Sequence, residues 1–115
     1  MVKKKEDMQE VMRKDMRGGE GPVRILSFLD PEEMRGKMSV CGILTIPPGS
    51  GIGEHEHVAD SEICYILEGE LQAKDNGREC TLYPGDIIFT ADGQSHRLWN
   101  ASDKDAKLLA VVMNI

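Results

Sequence analysis

Residues 49–69 read GSGIGEHEHVADSEICYILEG, and this stretch decides how the rest of the chain is read. His55 and His57 are one residue apart. In an extended strand, side chains two apart share a face, so both imidazoles can aim at one point. Glu62 follows a short polar turn, Val58-Ala59-Asp60-Ser61, and belongs to the next strand. Two imidazoles and a carboxylate converging from neighbouring strands suit a transition-metal ion with positions left open. His96, at the start of a later strand, is a fourth candidate.

Outward from that stretch, short strands alternate with turn residues. Val23–Leu29 is strand-like, and Asp30-Pro31-Glu32-Glu33 opens a helix that Gly36 limits to about a turn. Met38–Ile46 is a strand closed by Pro47-Pro48-Gly49, and Glu62–Leu67 runs up to Gly69. Leu71–Lys74 and Cys80–Tyr83 flank Asn76-Gly77, a hairpin signal. Ile87–Thr90, His96–Ala101 and Ala106–Met113 complete the set. Many short strands at this spacing predict an all-β sandwich or barrel.

Residues 1–20 read differently. Met8, Val11, Met12 and Met16 recur at helical spacing, with Gly18-Gly19 as the stop. A helix this short needs a partner. The segment is therefore expected to be a helical or disordered extension, either a frayed tail or an amphipathic helix docked on its own barrel or across a dimer. No catalytic role is assigned to it.

Composition bounds the function. The chain has 115 residues and one core's worth of apolar side chains, which predicts a single domain over residues 21–115. A net charge of -6 argues against a nucleic-acid partner. No apolar run is long enough to span a membrane. Lys3-Lys4-Lys5 is not followed by the apolar stretch of a signal peptide, so a cytoplasmic location is expected. Cys41, Cys64 and Cys80 are odd in number and lack CxxC spacing, which predicts reduced thiols rather than disulfides or a thiolate zinc site.

Phase along the strands gives further expectations. If Glu62 points inward, so do Cys64 and Ile66; if His96 does, so do Leu98 and Asn100. Ile63, Tyr65 and Leu67 then make an apolar outer face. Its cover is expected to be the N-terminal segment or a second subunit, a homodimer with Tyr65 and Trp99 as anchors. Glu54 and Glu56 should face solvent, and Cys64 reads as a small buried hydrophobe. Asn100 is expected to hydrogen-bond structurally.

The residues resemble the cupin family at two motifs. The first is a glycine, five residues, His-x-His, three or four residues, Glu, six residues and a glycine; Gly49, His55, His57, Glu62 and Gly69 fit it. The second is a glycine, five residues, Pro-x-Gly, two residues, His, three residues and Asn. Gly85, Gly93, His96 and Asn100 fit it, with Ala91 where the family has proline. The resemblance implies a double-stranded β-helix, the cupin or jelly-roll barrel. It also implies one divalent ion (Mn, Fe, Ni, Co, Cu or Zn) on His55, His57, Glu62 and His96.

Two function classes follow from the resemblance. One is a metalloenzyme on a small molecule, of dioxygenase, isomerase or epimerase, or decarboxylase type. The other is a non-catalytic module that binds or senses a small ligand. No Arg or Lys is in phase with the four candidates, and Cys64, Ile66, Leu98 and Ile87 or Ile88 are expected to line an apolar pocket. That pocket favours a neutral or weakly charged ligand.

Overall fold

Backbone pairing, which side-chain pattern can only suggest, fixes how the strands assemble. The computed structural model describes residues 1–115. Its strands are β1 (Gln9–Lys14), β2 (Pro22–Ser27), β3 (Met38–Ile46), β4 (Gly51–Glu56), β5 (Asp60–Glu68), β6 (Leu71–Asp75), β7 (Arg78–Leu82), β8 (Ile87–Thr90), β9 (Ser95–Trp99) and β10 (Ala106–Asn114). They form a six-stranded sheet in the order β1-β2-β3-β10-β5-β8 and a four-stranded sheet in the order β4-β9-β6-β7. Every pairing is antiparallel. The chain is all-β, as its strand pattern predicts.

The one α-helical turn, α1 (Pro31–Met34), is set by its first residues. The Asp30 carboxylate accepts from the Glu33 amide, and the Glu33 carboxylate accepts from the Asp30 amide. This reciprocal cap satisfies two amides that the first turn leaves free. Arg35, in the left-handed region, ends the turn at once.

The inner faces of the two sheets meet in one core. Val23, Ile46, Ile66, Leu71, Leu98 and Leu108 are almost completely buried there. The strand phases are those expected: Glu62, Cys64 and Ile66 face in, as do His96, Leu98 and Asn100. Asn100 donates to the carbonyls of Ile46 and Lys104 and accepts from Ser102, clasping the ends of β3 and β9 to the loop before β10.

The N-terminal segment departs from expectation. Where the spacing predicts a helix or disorder, residues 9–14 form β1, paired with β2 along its whole length from Gln9↔Ser27 to Lys14↔Pro22. The edge of β2 pairs in register with residues 9–14 and supplies the tertiary support that an isolated short helix lacks. Residues 15–21 then fold into a tight turn: the amide of Asp15 donates to the Gly21 carbonyl, and the Gly21 amide donates to the Asp15 carboxylate. Gly18-Gly19 closes only a single 3-10 turn, Met16–Gly18, and not the expected longer helix. Gly19 instead lets the turn lie on β4, because a Cβ there would stand 2.3 Å from the Gly51 carbonyl oxygen.

Tyr65 and Trp99 also part company. Tyr65 lies on the six-stranded sheet and Trp99 on the four-stranded one, each facing outward, so they cannot anchor one patch. Arg97 stacks over the Trp99 ring at 4.2 Å.

Candidate metal centre

A β-bulge makes the site. Along β4, Gly51 pairs with Trp99 and Ile52 with Leu98, but His55 pairs with His96, one residue out of step. Ile52 faces inward, so strict alternation would aim Glu54 and Glu56 into the barrel. The extra residue reverses the phase. His55 and His57 turn in, and Glu54 and Glu56 are exposed.

The four expected residues come together. One donor atom from each of His55, His57, Glu62 and His96 lies within 4.8 Å of all the others. His96 Nε2 stands 3.2 Å from His55 Nε2 and 3.3 Å from His57 Nε2. Glu62 Oε1 is 3.1 Å from the Nε2 atoms of both His57 and His96. Ligands at right angles on an ion with bonds of about 2.1 Å are about 3.0 Å apart. The donor spacing therefore suits a first-row divalent ion.

The outer nitrogens fix two of the three ring tautomers. His55 Nδ1 is 2.8 Å from the Gly53 carbonyl, which can only accept, so that nitrogen carries the proton. His57 Nδ1 donates likewise to Asp60 Oδ1 at 2.7 Å. His96 Nδ1 lies 2.7 Å from the Thr90 hydroxyl, which can donate or accept. With the Nδ1 protons of His55 and His57 so committed, their Nε2 lone pairs face the same point as His96 Nε2 and the Glu62 carboxylate, an arrangement that suits a cation. A set of three imidazoles and one carboxylate is thus able to bind a metal ion.

Burial and charge act on the same groups. Burial pushes the His55 pKa down; the Gly53 hydrogen bond opposes this, and the charges of His96, Arg17 and His57 add to the lowering. Burial pushes Glu62 up, but the hydrogen bond and charge from His96, the charge of His57 and a hydrogen bond from Cys64 bring it below the usual carboxylate value. Cys64 is raised well above an ordinary thiol by burial and by the charge and hydrogen bond of Glu62. It is a neutral, buried thiol, in keeping with its reading as a small hydrophobe.

A cavity of about 200 Å³ opens over the cluster. Its lining corrects the expected pocket. Cys64, Ile66, Leu98 and Ile88 lie in the core beneath the site, and Ile87 faces solvent. The apolar wall comes instead from Ile25, Leu44, Ile52 and Val112. The absence of a nearby cation is corrected too, because Arg13 and Arg17 line the mouth. Both come from the segment assigned no role, so a reading of strand phase could not find them. Asp60 and Thr90 also go unnoticed in the sequence; Asp60 reads there as a turn residue, although its position three after His57 is a usable signal.

A family model described as a cupin domain matches residues 42–112. The chain belongs to the cupin family. An oxalate-binding protein of Thermotoga maritima is 39% identical over 99 residues, covering 86% of this cupin and 82% of its own length. A crystal structure described as a predicted oxalate decarboxylase from the same organism superposes with a TM-score of 0.92 at 36% identity, covering 100% of both chains. The tetracenomycin polyketide synthase protein TcmJ of Streptomyces glaucescens is 28% identical over 83 residues. Those residues are 72% of this cupin and 56% of TcmJ.

Proposed function

We propose that this cupin holds one divalent transition-metal ion on His55, His57, Glu62 and His96 and uses it to bind a small dicarboxylate of the oxalate class. The observation that carries the reading is the convergence of the four donor atoms within 4.8 Å of one another, with the Nδ1 protons of His55 and His57 committed outward. The name of the Thermotoga maritima relative, at 39% identity, supports the ligand class. A six-coordinate ion on four protein donors keeps two positions for a chelating ligand and supplies Lewis-acid polarisation of its oxygens. The chain's own part is to orient the donors, to keep them dry on the barrel side, and to shape the cavity.

Turnover of the bound ligand, with decarboxylation first among the candidates, is the enzymatic form of this reading; capture without turnover is the other. The cavity favours capture. Apart from the four donors, its ionisable groups are Asp60, already bonded to His57, and the two arginines, so no free carboxylic acid stands ready to deliver a proton. Elemental analysis of the purified protein and of His57→Ala, followed by calorimetric titration with oxalate before and after stripping with a chelator, tests the reading. Stoichiometric metal and metal-dependent oxalate binding are expected. A site that stays empty on reconstitution, or oxalate binding that ignores the metal, would refute it.

We also propose that two copies pair through the outer face of β5 and β8. Tyr65, Leu67, Ile87 and Phe89 are 42%, 38%, 53% and 48% exposed there. Tyr65 stands opposite Ile87, and Ile63 opposite Phe89. The outward residues Ile63, Tyr65, Leu67, Ile87 and Phe89 carry no charge, and a two-fold axis would let the face cover itself. No helix of the chain is long and apolar enough to cross a membrane. A cytoplasmic location belongs to the same proposal and is supported by three unpaired cysteines, one of them exposed.

A further inference from the structure

We propose that Arg13 and Arg17 are the specificity residues of this site, carried by the N-terminal segment to the cavity mouth to receive the outward carboxylate oxygens of a dicarboxylate ligand. The proposal rests on the metal-centred reading above, in which the ligand chelates the ion held by the four donors.

Register places Arg13. Val11 and Arg13 lie opposite Ile25 and Val23, both buried, so they share the inward face of the sheet. Gln9 and Val11 share this face, and Arg13 is the charged residue on it. Arg17 is placed by backbone. It stands at φ 54° and ψ 32°, the left-handed region that residues with a Cβ seldom adopt. The turn that holds it is fastened to β4. The Gly51 amide donates to the Glu20 carbonyl, and a Cβ on Gly53 would stand 2.2 Å from the Arg17 carbonyl oxygen. The segment is thus seated on the strand that bears His55 and leads into His57.

Charge completes the argument. Neither guanidinium has a carboxylate partner within salt-bridge distance, although the chain carries 20 acidic residues against 14 basic ones. The acidic groups that share the cavity are engaged elsewhere, Asp60 with His57 and Glu62 with His57 and His96. Both arginines nevertheless line the cavity of the four donors, and the charge of Arg17 is felt at His55. Two arginines lining the small cavity that holds the four donors match a ligand that carries two carboxylates. A neutral chelator would use the metal and leave both arginines idle.

The test uses full-length protein loaded with Mn²⁺ and titrated calorimetrically with oxalate and with acetohydroxamate, a chelator that lacks a carboxylate. Arg13→Gln and Arg17→Gln are each expected to weaken oxalate binding about tenfold, and the double variant on the order of a hundredfold. Metal content should stay the same, and acetohydroxamate affinity should stay within about twofold. The salt dependence of oxalate binding should shrink in the double variant, and Arg13→Lys with Arg17→Lys should recover part of the affinity. Unchanged oxalate affinity in the double Gln variant would overturn the proposal and leave the metal-centred reading standing. Equal loss of both chelators would overturn it as well, because the arginines would then only seat the segment. Wild-type protein that holds no metal, or binds no oxalate once loaded, would fail the underlying reading instead.

Discussion

Asp60 holds the ring of His57, its Oδ1 standing 2.7 Å from Nδ1 at the first residue of β5. The contact fixes which nitrogen faces the cluster, and it ties the end of the His-x-His segment to the strand that carries Glu62. Asp60→Asn keeps the size but removes the charge that makes Nδ1 the protonated nitrogen. Metal affinity is expected to fall by about 10–100-fold with the fold intact. Competition titration against a fluorescent chelator measures this, and an unchanged affinity would show that ring orientation does not depend on Asp60.

Acid should destabilise the metal-free protein through two groups with the same sign. Burial holds the folded-state pKa of His55 below that of a free histidine, about 6.5. The unfolded chain therefore takes up this proton first, and stability falls as pH drops below about 6.5. Glu62 is also lowered, despite its burial, by His96 and His57. Its contribution is complete above the free carboxyl value of about 4.3 and is lost as pH falls through the lower folded value. Thermal melts in the presence of a chelator should give a Tm that declines from pH 7 to pH 4. A Tm that rises on acidification contradicts both assignments.

Removing the Asn100 clasp should cost stability without touching the metal. Asn100→Ala orphans the buried Ile46 carbonyl and the loop contacts with Ser102 and Lys104. A loss of about 2–3 kcal/mol is expected in urea unfolding. Metal stoichiometry should be unchanged, since the Asn100 side chain bonds only to this loop and the end of β3.

Gly19→Ala should lift the N-terminal turn. The added Cβ would meet the Gly51 carbonyl oxygen at 2.3 Å, a backbone atom with little room to move. Limited proteolysis should then cut within residues 15–21 faster than in the parent, while metal content is kept. A cleavage pattern identical to the parent would mean that the turn adjusts in place.

Phe89→Asp places a charge in the middle of the apolar outer face, where Phe89 opposes Ile63. Light scattering behind a sizing column should show the parent at twice the mass of one chain and the variant at one. A parent that elutes as a monomer removes the dimer from consideration.

Much of this molecule is written in local sequence. The strands from residue 38 onward, the hairpin at Asn76-Gly77 and the capped turn at Asp30 follow from period-two patterning and turn chemistry, which act over a few residues. The four donors were legible from their types and spacing. What the sequence could not decide was set by contacts between distant segments. The β4 bulge, which turns His55 and His57 inward, is defined only by pairing with β9. The N-terminal residues become a strand because the edge of β2 accepts them, overriding a helical spacing that local propensity alone would favour. That tertiary choice brings Arg13 and Arg17 to the cavity, and no pattern within residues 1–20 could reveal it, because the partner surface lies elsewhere in the chain.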